Sequence, residues 1–524
     1  MTASKFSEYI KSRTLKYHLL LLLFSILAVK SVFIFPFTLT EGLRGILLGM
    51  VLTVAMFFVL TAAVYYLENL SWQYRETKVP WYRVLVYMLP ALGLYTFLLL
   101  AVFPGIMPYD SLYIWEATIT NQFTNLHPIG YTLYVDALNS AVNSPWFIIA
   151  VQIVYTAFAF GMIAHTFEGM GLRRAWCWGI AAVLALYPVN AITTVTMLKD
   201  VNYMMSLVLI SVLILKTVIR GKLTWGSFLS LLFVSLFALF SRHNALLTIT
   251  LSYVIFMVFC IIRKDRKAAH RVAALGAAAL FVFFIANKII EAALGDSYWK
   301  RSGALDAAMM PSAQLAFAVD QNWYELSDKQ KEDADKYLDL GYISETVKTR
   351  WNWKFSHIYS FTLKYGEIWS DIGGFIKFYF DFWREYPSDM LLAYQQMTGI
   401  VWAAPNYGYT LLWNTGITPY DTDMGIHPQS VFPKVQEFLY RTPHVYFWLR
   451  PAMWLMLSIF LIIVFSNRHG YSLIAVSSPM LANAFGYILG TPAQNVRYLY
   501  CNFTVFIILA AFAFMKNQTP EQQS

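Results

Sequence analysis

Apolar residues run along this chain in long blocks separated by short polar breaks. A block of roughly 17–25 such residues crosses a bilayer as a helix. Blocks of that kind lie near 17–37, 46–67, 84–103, 146–167, 176–189, 202–219, 224–240, 245–262, 272–290, 447–466, 471–490 and 499–515, which predicts about twelve crossings. The 176–189 block is short and is expected to be tilted or extended. The expected fold is an all-α polytopic membrane protein in three parts. Residues 1–290 form a transmembrane module, 291–445 a mainly helical, aromatic-rich external domain, and 446–524 the last helices with a short polar tail.

Within the external stretch, Ser327 followed by Gln330 has the form of a capping box. Phe375 to Tyr386 repeats aromatics at helical spacing, and Ser388 is placed to cap a further helix. The other segment that is no simple turn is the loop 104–128, which leaves the third block through Pro104, Gly105 and Pro108. Leu112–Thr120 is expected as a short interfacial helix, with Tyr113 and Trp115 anchoring it at headgroup depth. Ile129–Ser140 is too short to span and reads as a second interfacial or re-entrant helix.

Charge placement orients the blocks. Lys5, Lys11, Arg13 and Lys16 precede the first; Arg75, Lys78 and Arg83 follow the second. Arg173 and Arg174, Arg220 and Lys222, the run Arg263 to Arg271, Arg468 and Lys516 continue the alternation. Cationic side chains stay on the cytoplasmic face, so both termini are expected there. The net charge of +9 is thereby mostly a matter of topology, and nucleic acid is not an expected partner. The basic start is expected to lead into a retained first span rather than a cleaved signal. Lys30, inside that span, is expected to snorkel or to make a polar contact.

Composition agrees. Hydrophobic residues make up 58% and charged residues 13% of the chain, where a soluble domain carries about 25% charged. An ordinary soluble enzyme and a disordered chain are both excluded. Cys177, Cys260 and Cys501 are too few for a disulfide scaffold and fall in apolar blocks, as small core residues do.

Candidate chemistry gathers on the outer side. Asp110 and His127 put a carboxylate and an imidazole just above the bilayer, where a lipid-borne head group sits. Asp110 is a candidate general base for an acceptor hydroxyl, with helix capping as its plain alternative. For His127 the plain alternative is a structural hydrogen bond before Pro128. Glu116 is about 120° round a helix from Asp110 and is a poor partner for it. Three short outer loops carry cations against the inside-positive bias: Lys199-Asp200, Arg242-His243 and Arg497-Tyr498. A phosphate at the outer face accounts for them together, since Arg forks pair bidentately with phosphate and Lys acts as a point charge. Taken singly, each is explained by a headgroup contact or an ion pair, Lys199 with Asp200 above all. Walker, dinucleotide-binding, zinc and nucleophile-elbow motifs do not occur. A divalent cation on Asp421, Asp423 and His427 is conceivable but not indicated, and the cofactor stays unknown.

Tyr109-Asp110-Ser111, Trp115 and His127-Pro128 together resemble the first outer loop of the GT-C class of membrane glycosyltransferases, and best that of a bacterial GT-C-like subgroup. That subgroup is similar again at Lys199-Asp200, at Arg497-Tyr498-Leu499-Tyr500, at Met310 to Leu315, at Leu326-Ser327 and at Tyr386-Pro387. One departure is Asn125, where the subgroup often has an acidic residue. The resemblance implies sugar transfer from a polyprenyl-phosphate carrier to an envelope glycan or lipid acceptor outside the membrane. It gives Asp110 the role of base and His127 an assisting one. Lys199, Arg242, His243, Arg497 and Tyr498 are left around the lipid phosphate. The competing expectations are a transporter or flippase, an envelope glycan polymerase or ligase, and a purely structural protein. A transporter would place its site nearer the midplane, within repeated halves.

Overall fold

A computed structural model describes residues 12–32, 42–299, 304–341, 343, 363–404, 426, 429–441, 449–490 and 495–516. Its apolar blocks are helices, because a backbone in hydrocarbon must satisfy its own polar groups. In chain order they begin with α1 (Leu15–Val32), α2 (Gly42–Leu67) and α3 (Tyr82–Ala101). The loop after α3 contributes α4 (Tyr109–Thr120) and α5 (Ile129–Ala141). Then follow α6 (Pro145–Gly169), α7 (Arg174–Leu186), α8 (Pro188–Thr194) and α9 (Lys199–Arg220). The transmembrane module ends with α10 (Trp225–Ser241), α11 (Ala245–Ile262) and α12 (Arg266–Leu294).

The next segment holds α13 (Ala304–Asn322), α14 (Asp328–Tyr337), α15 (Tyr365–Ser370), α16 (Ile372–Glu385), α17 (Pro387–Trp402) and α18 (Pro433–Arg441). The chain closes with α19 (Pro451–Val464), α20 (Ser466–His469), α21 (Ser472–Leu489) and α22 (Cys501–Ala513). Two pairs of two-residue parallel strands join distant parts: Trp72–Gln73 with Met515–Lys516, and Phe123–Thr124 with Tyr298–Trp299.

Among the described residues, eight helices are long and apolar enough to cross a membrane, or nine if the bent pair α7–α8 is one span. The chain is thus a multi-pass helical protein by composition. The other three expected blocks hold apolar helices of only 17, 14 and 13 residues (α10, α19 and α22). At 1.5 Å per residue all three are shorter than a hydrocarbon core about 30 Å thick, the last two by the most. The short 176–189 block is resolved as a break: Pro188 ends α7 and the chain turns by 61° into α8.

The central element is α9, buried along nearly its whole length between α6, α10, α21 and α22. Its middle turns are mostly apolar on every side, as a helix inside a bundle must be, and its charges lie toward its ends. The pair α3 and α6 packs along its length. It meets at Gly161, where a Cβ would lie 2.6 Å from the Val84 carbonyl oxygen. A second apolar cluster, separate from the bundle core, gathers Met310, Leu315, Tyr337, Phe378, Phe382 and Met390.

Several local expectations change. The Ser327 capping box is present as expected. α17 instead starts at Pro387, whose missing N–H costs nothing in a first turn, so Ser388 lies inside the helix and is not its cap. Trp115 is only 2% exposed and packs in the bundle core instead of anchoring at the interface; Tyr113 is exposed. Lys30 lies 5.6 Å from the ring centre of Trp402. All three cysteines are buried and unpaired with one another.

Candidate functional site

The site is assembled by backbone before side chains enter. Gly105 has φ +126°, open to glycine, and a Cβ there would overlap Ile149. The turn it makes brings Ile106 alongside Thr196 in a one-residue parallel bridge. The Ile106 N–H donates to the Val195 carbonyl at 3.1 Å, and the Met197 N–H to the Ile106 carbonyl at 2.9 Å. Ser111 Oγ donates to the Met197 carbonyl. Gln152, buried in α6, donates to the carbonyls of Thr194 and Thr196 at 2.9 and 2.7 Å. The start of α4 is thereby fixed against the start of α9, and Asp110 faces Lys199.

α3 is finished from outside. Gln429, Ser430 and Val431 donate to the carbonyls of Phe103, Ala101 and Leu100, which a helix end leaves without partners.

Asp110 is not the cap of its helix; Pro108 holds that position and no side chain caps it. The carboxylate is free to turn inward. Its Oδ2 accepts from Lys199 Nζ at 2.7 Å and pairs with Arg497 Nη1 at 3.0 Å. Lys199 Nζ also lies 3.1 Å from His127 Nδ1. An ammonium has only donors, so Nδ1 accepts and the neutral ring carries its proton on Nε2. That Nε2 is buried and has no hydrogen-bond partner among the described residues; Arg497 Nε is in the same condition.

The ion pair expected between Lys199 and Asp200 does not form. Successive helix residues point about 100° apart, so Lys199 turns to Asp110 while Asp200, fully buried, turns to the other loops. There it pairs with Arg242, and its Oδ2 lies 3.9 Å from Arg497 Nη1. Arg242 donates from Nε to Asn244 Oδ1 at 3.0 Å and lies over the Tyr498 ring at 4.8 Å. Arg497 packs over the same ring at 5.0 Å, and Tyr498 stacks on Tyr487. A relay holds this turn: Tyr203 donates to Asn483 Oδ1, and Asn483 Nδ2 donates to the Tyr498 carbonyl.

Three chain segments remote in sequence thus share one charge cluster with the loop that carries α4. The cluster joins Asp110, His127, Lys199, Asp200, Arg242, Arg497 and Tyr498. His243 acts on His127 electrostatically rather than through a hydrogen bond to it. Asp421, Asp423 and His427 lie outside the described residues. Among the described residues no group of three His, Cys, Asp or Glu side chains is placed to hold a metal ion.

The electrostatics follow from this packing. Burial raises the Asp110 carboxyl, but Arg497, then Lys199 and His127, outweigh it and hold it well below the usual carboxylate range. Burial, helped by the Lys199 charge, pushes the His127 imidazole down to about 3 against the pull of Asp110. His127 is therefore neutral at neutral pH. Asp200, Gln152, Tyr203 and Asn483 were not picked out from sequence as parts of the site. Their available signal was polarity inside apolar blocks, which membranes tolerate only where it is used.

No protein-family model, curated protein or solved structure matches the chain.

Proposed function

We propose that the chain is a membrane glycosyltransferase of about twelve crossings with its site on the outer side. It moves a sugar from a polyprenyl-phosphate carrier to an envelope glycan or lipid acceptor. The observation that carries this reading is the charge balance of the cluster. Lys199, Arg242 and Arg497 face Asp110 and Asp200, with His127 neutral, which among the described residues leaves one positive charge in excess. Buried excess charge is costly unless something compensates it. A phosphodiester supplies one negative charge, and Arg497 with Lys199 supplies the donors to receive it.

The acceptor oxygen then forms its bond to the sugar's anomeric carbon as the bond from that carbon to the phosphate oxygen breaks. The acceptor proton passes to Asp110, and the leaving phosphate gains a second negative charge. The sum over cluster and ligand stays at zero through the step. At rest Asp110 is a weak base, because two cations hold one of its oxygens. A phosphate that draws Arg497 and Lys199 toward itself frees that carboxylate to accept the proton, so base strength appears only with the donor bound. His127 Nε2, a buried donor without a partner among the described residues, would bond a sugar or phosphate oxygen.

The test is substitution. Asp110→Asn and Arg497→Ala are each expected to lower transfer by at least about a hundredfold, the scale of acid–base and charge-stabilising groups. The readout is labelled sugar appearing in envelope glycan, with membrane abundance of each variant checked by immunoblot. Transfer at the wild-type rate in Asp110→Asn rejects the assignment of base.

A further inference from the structure

At the far end of α9, about 33 Å from Lys199 by helix rise over 22 residues, the bundle opens again. A cavity of about 610 Å³ lies between the ends of α9 and α11 and the α20 turn, with Tyr74 on its other side. Two smaller cavities, of about 310 and 90 Å³, adjoin it through Tyr74 and Ile219 and through Val218 and Arg263. The three are lined by six Lys and Arg side chains against two acidic ones, Glu76 and Asp265.

The inside-positive bias accounts for cations at this end, but not for their gathering round a formed cavity. The walls are built, not left over. The segment carrying Tyr74 is stitched to the chain's last described residues by the Trp72–Gln73 and Met515–Lys516 strands. It is also held to the end of α6: Arg75 N–H donates to the Met170 carbonyl and Thr77 N–H to the Gly169 carbonyl, both at 2.9 Å. Arg468 is pinned at the rim by the carbonyls of Ala513 and Glu68, at 3.1 and 2.8 Å. Those bonds use two of a guanidinium's five N–H groups. Arg263 makes one long bond, 3.5 Å to the Val218 carbonyl. Val218, Ile219, Phe259 and Phe512 give the lining its apolar part, beside the polar groups of His469, Tyr471 and Ser472.

We propose that this cavity is a second anion site, in which Arg263 and Arg468 hold a phosphate group above an apolar wall. The chemistry is that of an amphiphile with one phosphate, and basic pockets between helix ends hold such head groups. The phosphate comes either from an anionic phospholipid of the leaflet or from a soluble phosphate compound. The site is remote from the charge cluster, so the proposal stands or falls apart from the sugar-transfer reading.

The test uses the full chain, purified and returned to vesicles of phosphatidylcholine, alone or with phosphatidylglycerol, or given inorganic phosphate in detergent. Wild-type protein is expected to melt higher with phosphatidylglycerol than with phosphatidylcholine alone and to retain that lipid in native mass spectrometry. Arg263→Gln is the variant of choice, since Arg468 also holds two carbonyls and its loss can disturb the fold. Arg263→Gln is expected to retain phosphatidylglycerol about tenfold more weakly, the loss of one charge-assisted hydrogen bond. Asp110→Asn retains it as wild type does. Equal protection by inorganic phosphate upholds the site and assigns it to a soluble phosphate compound. Equal protection by phosphatidylcholine, or wild-type retention in Arg263→Gln, overturns the proposal.

Discussion

Side chains next to each other in a helix point in different directions, and that rule separates Lys199 from Asp200 and gives each a different partner. Asp200 is the more deeply buried of the two carboxylates in the cluster, with Arg242 and Arg497 turned toward it. Asp200→Asn leaves those guanidinium groups short of a countercharge. It is expected to destabilise the protein by about 3–5 kcal/mol, the cost of breaking a buried pair, read as a large fall in melting temperature in detergent. Acid should act through His127. Unfolded, its imidazole takes a proton near pH 6.5; folded, only near 3. Between those limits the unfolded chain binds more protons, so the stability held above pH 6.5 is lost progressively as pH falls toward 3. The low Asp110 pKa adds to the loss in the same direction below the ordinary carboxylate range. Melting temperature against pH checks this, and His127→Gln is expected to flatten part of the decline. At this scale the cations were legible because each breaks the inside-positive bias. Their partners were not, since which carboxylate meets which cation depends on contacts across 89 residues for Lys199 with Asp110.

Elements carry a different kind of information. Long apolar blocks could be read as helices directly from their length, and the weak block at 176–189 already hinted at the break that Pro188 makes. What length does not encode is the extended link between α8 and α9, whose backbone aligns the outer loop. Gly105 is the residue on which that alignment depends. Gly105→Ala forces a side chain into a positive-φ position already filled by Ile149. The expected cost is about 1–3 kcal/mol of stability, together with loss of transfer, because the start of α4 shifts away from Lys199. Transfer assays on protein brought to the membrane at normal abundance separate the two effects; undiminished transfer would show that the alignment is not needed. The cap at Pro108 was likewise hidden. Asp before a helix usually reads as a cap, and only the turn set by Gly105 and Pro108 places Asp110 one position further in.

For the whole molecule, the two ends of the bundle carry separate groups of charges, and sidedness is the property to test. The three native cysteines are buried, so an introduced cysteine reports against a low background. Gln122→Cys, exposed after α4, and Lys267→Cys, exposed in the first turn of α12, mark opposite ends. A membrane-impermeant maleimide is expected to label the first in intact cells and the second only after permeabilisation. The reverse pattern would put the charge cluster on the inner side and remove an envelope acceptor from consideration. Length and composition mark the aromatic-rich segment out in the sequence as an expected unit. The separate apolar cluster about Phe378 and Phe382 was not legible, because it unites residues from Met310 to Met397.

The strand pair between Trp72–Gln73 and Met515–Lys516 has a bearing on how the protein is made. Synthesis runs from the first residue to the last, and early parts fold while later ones are still unmade. The Trp72 edge must therefore wait for its partner until Met515 has been made. Arg497 also emerges late, long after Asp110 and Lys199 can meet. A chain released before Arg497 would keep most of its helices yet lack both that member of the charge cluster and the strand that closes on Trp72.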